Sequence, residues 1–378
     1  PGLSLTVDLP AFDSLVESDD AVAEEDRLFL PVPPGLGAPS ADGREDAAVA
    51  AAMKGLRDRL ARPLTRGRIR RFKADWLRRA GADAAVVGFL VGQSPGARAQ
   101  MHYSRVARRT LVDWHRRHLV CGLGLSLPEW PEPDGVYGSR LRLPQPLLRA
   151  VFEEARREVR RHRLHGLGSF HQVAAAHNAF MVYTLMVLYL GSGHRPVSHP
   201  FEFRSDFDLE AGVLWISDKT GRGARGARLV PLPAAAVAQT RAWIAHLEKL
   251  RDRLRLTHPE MADGPVEAAL AMEARRRGPF FLRLDPRGRA EPLRPSIQEA
   301  AVEPVLPAAL NWTRHVLRSA LLEDCDPAAL DAFFGHGHIG EDPFVAGGGL
   351  PFADLFPVAD RIETLMAALS AKPADSPL

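Results

Sequence analysis

Apolar residues recur three and four positions apart over most of this chain, which is the spacing of helices with one buried face. The stretch "PLLRAVFEEARREVRRHRLH" (146–165) opens on proline in its first turn and then keeps that period. "HQVAAAHNAFMVYTLMVLYL" (171–190) is apolar nearly all round, which predicts a buried central helix. Residues 49–121, from "AAMKGLRDRL" to "TLVDWHRRHL", read as a series of helices, and "NWTRHVLRSALLEDC", "DPAALDAFFG" and "VADRIETLMAALS" continue the pattern toward the end. One segment departs from it. In "GVLWISDKTGRGARGARLVPLP" (212–233) two short β-like runs flank a Gly/Arg-rich turn, the signature of a hairpin. The predicted class is mainly α with a small antiparallel β-hairpin or sheet.

Breaks in the pattern divide the chain. Residues 1–48, rich in Pro, Gly, Asp and Ala, predict an irregular acidic segment. Residues 49–121 form a helical N-terminal domain, and the turn-rich 122–144 is a linker. Residues 145–378 make up a second, larger domain.

Composition alters this picture little. The 378 residues carry a net charge of only +3, so bulk charge does not demand a polyanionic partner. The distribution says more, because basic groups cluster at Arg57–Arg79, Arg105–His118, Arg156–His165 and Arg275–Arg277. In "RGRIRRFK", Arg66, Arg68, Arg70, Arg71 and Lys73 interleave with Ile69 and Phe72. Such a helix either lays charge along a DNA backbone or packs on protein with solvated arginines; both readings stand. Two cysteines make neither a disulfide framework nor a metal set, which points to a reducing, cytoplasmic setting without cofactor. The longest apolar run, Ala179–Leu190, is shorter than the ~20 residues that span a bilayer, so no membrane partner is expected.

The chemistry gathers around "YLGSGHRPVSHP" (189–200), where the apolar helix ends in small residues and Arg195 follows between histidine and proline. Lys219 and, beside it, Arg222 and Arg225 lie in the hairpin turn. His315 and Arg318 form H-x-x-R, so both project from one helical face. An inward His and Arg on an apolar stripe are costly unless an anion meets them. His336 ends the next helix in "AFFGHGH". Arginine forks hold the non-bridging oxygens of a phosphodiester, a lysine can protonate a leaving oxygen, and a histidine can accept a proton.

This ordered set resembles the tyrosine recombinase (phage integrase) family over roughly 145–340. The resemblance implies a helical catalytic domain with a β-hairpin beside a helical DNA-binding domain, closing as a clamp on double-stranded DNA. It implies site-specific recombination or integration, with sister subunits or a homo-oligomer assembling on the DNA. Arg195, Arg318 and His336 would contact the scissile phosphate, Lys219 would be the general acid, and His315 would assist proton transfer. The family's nucleophilic tyrosine is missing: no tyrosine follows Tyr189, and Phe344 and Phe352 have the ring without the hydroxyl. The resemblance therefore implies a DNA-binding protein without its own nucleophile, or an active enzyme using Tyr103 or a partner's tyrosine.

Tyr103 enters through an internal echo. "RFKADWLRRAGADAAVVGFLVGQ" (71–93) matches the spacing of "RHVLRSALLEDCDPAALDAFFGH" (314–336), which pairs Phe72 with His315, Asp75 with Arg318, Asp83 with Asp326 and Gln93 with His336. Tyr103 stands ten residues after Gln93. The echo is either a degenerate second half or a chance likeness of amphipathic helices, with Tyr103 then buried or facing DNA. "GQSPG" (92–96) fits a serine-hydrolase elbow around Ser94, which needs a strand before it and a helix after it. His336 and His338 lack the carboxylate or cysteine company of a metal site, with Glu341 and Asp342 expected in solvent. His194 and His199 are expected to pack or lie at the surface, and Trp312 and Trp215 to pack their helix and hairpin.

Overall fold

A computed structural model describes residues 44–60, 65–130, 134–196, 201–217, 227–285, 287–306, 308, 311–337, 343 and 347–378. The chain divides into two compact units, one ending at Arg140 and the other beginning at Leu141.

The N-terminal unit contains α1 (Arg44–Leu60), α2 (Arg66–Arg79), α3 (Ala84–Leu90), α4 (Ala99–Tyr103), β1 (Arg105–Ala107), α5 (Arg108–Arg117) and β2 (Val136–Gly138). α1 thus begins inside the stretch expected to be irregular. The Thr65 hydroxyl caps α2 by accepting from the Arg68 amide at 3.2 Å. β2 pairs antiparallel with β1, Arg105 opposite Gly138, so the turn-rich stretch after residue 122 supplies a strand to this unit.

The echo between 71–93 and 314–336 has a structural basis. In both copies a helix ends, an aspartate caps the next helix, and a glycine in the left-handed conformation closes it. Asp83 accepts from the Ala85 amide, and Asp326 from the amides of Ala328 and Ala329. Gly92 (φ 77°) and Gly335 (φ 68°) occupy the closing position. The amide of Gln93 returns to the Gly88 carbonyl, as that of His336 returns to Asp331.

The C-terminal unit opens with α6 (Gln145–Arg161) and α7 (Phe170–Ser192). Ser169 and Gln172 form a reciprocal cap at the start of α7. β3 (Phe207–Asp208), β4 (Val213–Ser217) and β5 (Ala227–Pro231) make an antiparallel sheet in that order. Its register sets Val213 opposite Pro231 and Ser217 opposite Ala227. α8 (Ala234–Leu254), α9 (Pro259–Met261) and α10 (Glu267–Leu270) follow, then a second antiparallel pair, β6 (Leu282–Leu284) with β7 (Ala290–Pro292), in a stretch expected to be dominated by helices. α11 (Pro295–Val302), α12 (Trp312–Leu321), α13 (Pro327–Phe333) and α14 (Phe356–Ala368) complete it.

α7 is the central helix: every residue from Phe180 to Ser192 is buried. With its flanking turns the apolar run becomes a 23-residue helix, long and apolar enough by composition to cross a bilayer. It is nonetheless mostly buried inside the unit, packed against α6, α8 and β6. Phe180, Trp243, Phe280 and Phe281 fill the centre, each buried aromatic stabilising by roughly 2–3 kcal/mol. Two histidines sit within it. The His177 Nε2–H donates to the Leu282 carbonyl (2.8 Å), which leaves Nδ1 to accept from His246 Nε2–H (3.0 Å). His246 Nδ1 then accepts from the Ser376 hydroxyl (2.9 Å). The C-terminal tail is held further by Tyr183, whose hydroxyl donates to the Lys372 carbonyl, and by the Ala374 amide, which donates to Gln239 Oε1 at 2.8 Å.

Candidate functional site

The end of α7 explains why Arg195 stands where it does. Gly193 takes the left-handed conformation (φ 58°) and closes the helix by donating to the Tyr189 carbonyl. A Cβ there would come within 2.8 Å of the Phe334 ring, so glycine is required on both counts. His194 is buried against the rings of Tyr189 and Phe201, and the next residue, Arg195, is exposed. The break therefore turns one side chain inward and presents the following guanidinium to solvent.

A residue that the sequence reading passed over ties this turn to the rest. Arg314, adjacent to His315 on α12 and buried, donates from Nη1 to the Gly193 carbonyl at 2.8 Å. From Nη2 it donates to the Phe334 carbonyl (3.0 Å) and to His336 Nε2 (2.8 Å). Arginine has no acceptor, so His336 Nε2 must accept, and the ring is neutral with its proton on Nδ1. One planar fork thus joins three segments far apart in sequence: the Arg195 turn, the H-x-x-R helix and the His336 turn. A second missed residue, Arg228 on β5, is also buried and donates from Nε to the Phe333 carbonyl at 2.9 Å, which ties the hairpin base to the same turn. Both were legible only as further arginines in "TRHVLR" and "GARLV".

An expected phosphate contact, Arg318, and an expected proton-transfer residue, His315, are placed otherwise. His315 and Arg318 do share one inward face, but both are buried, Arg318 with no exposed surface. The anion that meets Arg318 belongs to the protein: Asp331 Oδ1 on α13 lies 2.8 Å from its Nη2. This ion pair joins α12 to α13 and withdraws Arg318 from direct contact with an external phosphate. Of the expected set, Arg195 is exposed and His336 is partly so. Lys219, Arg222, Arg225, His199, His338, Glu341, Asp342 and Phe344 lie outside the described residues.

The remaining candidates sort by burial. Phe352 packs edge-on against Phe356 with ring centres 5.5 Å apart and takes a packing role. Trp312 is buried against Phe152, whereas Trp215 sits on the outward side of β4 rather than packing the hairpin. Tyr103 is buried in the N-terminal unit, only 6% exposed. Ser94 follows helix α3 instead of a strand, so the strand–turn–helix of a hydrolase elbow is not formed. On α2, Arg68, Arg70 and Arg71 are exposed, together with roughly half of Ile69 and much of Phe72; the side chain of Arg66 is outside the described set. Lys73 is not available in the same way. Its ammonium donates to the Leu90 carbonyl at 2.8 Å and caps α3, and burial lowers its pKa.

The arrangement supplies fixed positive charge with a neutral histidine at its edge, and among the described residues no exposed tyrosine joins it. No protein-family model, curated protein or solved structure matches this chain.

Proposed function

We propose that this chain is a DNA-binding protein of the tyrosine recombinase type, acting in site-specific recombination or integration without a nucleophile of its own. The observation that carries the reading is the Arg314 fork. It draws the Arg195 turn and the His336 turn onto the H-x-x-R helix, which is the convergence a phosphate clamp needs. Arg195 is the outward member that meets the backbone phosphate, and His336 is fixed at the edge of the site by Arg314. Arg314 and the Arg318–Asp331 pair hold these groups in position and do not touch the DNA themselves. The exposed arginines of α2 add non-specific contacts along a duplex. The family's cleavage step is absent from this reading, since attack on phosphorus requires a hydroxyl that Phe352 lacks and Tyr103 keeps buried.

Fluorescence anisotropy with a short duplex tests it. Affinity is expected to fall steeply between about 50 and 200 mM salt as counterions are released. Arg195→Ala is expected to weaken binding and to reduce the salt slope by about one. Nicked duplex substrates are expected to give no covalent adduct. Absence of binding at low salt refutes the proposal, and an adduct that disappears in Tyr103→Phe refutes its non-cleaving part.

A further inference from the structure

We infer that a second anion site lies in the C-terminal unit, between α6 and the C-terminal tail, and that it takes a phosphate group. α6 carries its arginines in two rows. Arg157 and Arg161 face Glu154 and Glu158 and are neutralised by them. Arg156 and Arg160 stand one turn apart on the other row, Arg163 follows just past the end of the helix, and all three line a pocket of about 160 Å³ with Ser376 and Asp375. Among the described residues none of these three guanidinium groups makes a side-chain hydrogen bond or ion pair. Three cations therefore meet one carboxylate, Asp375, whereas Arg157 and Arg161 are matched by Glu154 and Glu158.

The opposite wall is rigid, which distinguishes this pocket from a solvated arginine row. The tail from Lys372 to Pro377 is fastened at four points: Tyr183 to the Lys372 carbonyl, Ala374 to Gln239, Ser376 to His246, and the Leu164 amide to the Pro377 carbonyl at 2.8 Å. Fork-shaped donors on one side and an anchored backbone on the other suit a tetrahedral oxyanion, because each guanidinium can hold two oxygens. A serine–histidine–histidine chain borders the pocket, but His246 has its pKa driven well below the usual value by burial, so it is a poor base, and the chain serves to fix the tail. Two sources share the chemistry: a phosphate of the duplex backbone and a free phosphate monoester. The inference does not depend on the Arg195 site.

Inorganic phosphate titrated into the full chain by calorimetry, alongside the duplex titration, decides between them. Saturable binding of one phosphate is expected, weakened about tenfold or more in Arg156→Gln/Arg160→Gln and unchanged in Arg157→Gln/Arg161→Gln, since a bond to a charged group contributes at least that factor. Arg163→Gln, at an exposed position, gives a smaller loss in the same direction and guards against misfolding of the double variant. Duplex affinity that also falls in the double variant identifies the DNA backbone as the source; unchanged duplex affinity identifies a free phosphate ester. If neither phosphate nor duplex responds to the first pair of substitutions, the site does not exist. Arg195→Ala read in the same duplex assay reports separately on the function proposed above.

Discussion

Acidification should loosen the C-terminal unit through the buried histidine pair. His177 is fully enclosed, and burial depresses its pKa from 6.5 to about 4, only partly offset by its bond to the Leu282 carbonyl. A depressed histidine pKa means that the folded state prefers the neutral ring. Its contribution is therefore complete above the unfolded value of 6.5 and is lost as pH falls toward 4. The difference corresponds to about 3 kcal/mol by pH 4 from His177 alone, at roughly 1.4 kcal/mol per pKa unit. His246 is shifted in the same direction by burial and by His177, so it adds to the loss. Protonation also breaks the chain itself, since His177 Nδ1 and His246 Nδ1 must both accept for Ser376 to stay bonded. Urea unfolding at a series of pH values, compared between the wild type and His177→Gln/His246→Gln, isolates this component from the titration of carboxylates. The gap between the two proteins should close by about 3 kcal/mol or more between pH 7.5 and 4. Parallel curves over that range would show that the pair does not titrate as its burial requires.

Two further outcomes follow from the site's geometry. Asp331→Ala leaves the Arg318 charge buried beside α13 without its carboxylate and should cost about 3–5 kcal/mol in chemical denaturation. Replacing the pair together by Arg318→Met/Asp331→Leu should restore much of that. Gly193→Ala forces a side chain into the left-handed conformation and against the Phe334 ring, and should lower stability by roughly 1–3 kcal/mol, measured in the same way.

The sequence carried whatever depends on local spacing. Helical spacing marked α6, α12 and α13, an apolar run nearly all round marked α7, and two β-like runs about a Gly/Arg-rich turn marked β4 and β5. The echo of 71–93 in 314–336 was visible because capping aspartates and closing glycines act over a few residues. The short strands β1, β2, β6 and β7 were not visible, since three-residue pairs have no period of their own and exist only through a partner brought up by the fold. The site divided along the same line. That His315 and Arg318 point inward could be read from their spacing, but not that the anion meeting Arg318 would be Asp331, because a charge partner depends on which helices pack together. Arg314 was one arginine among many until folding set its fork between Gly193 and His336. Chain neighbours settle which way a side chain faces, whereas the group it meets is decided by elements that come together only when the core closes.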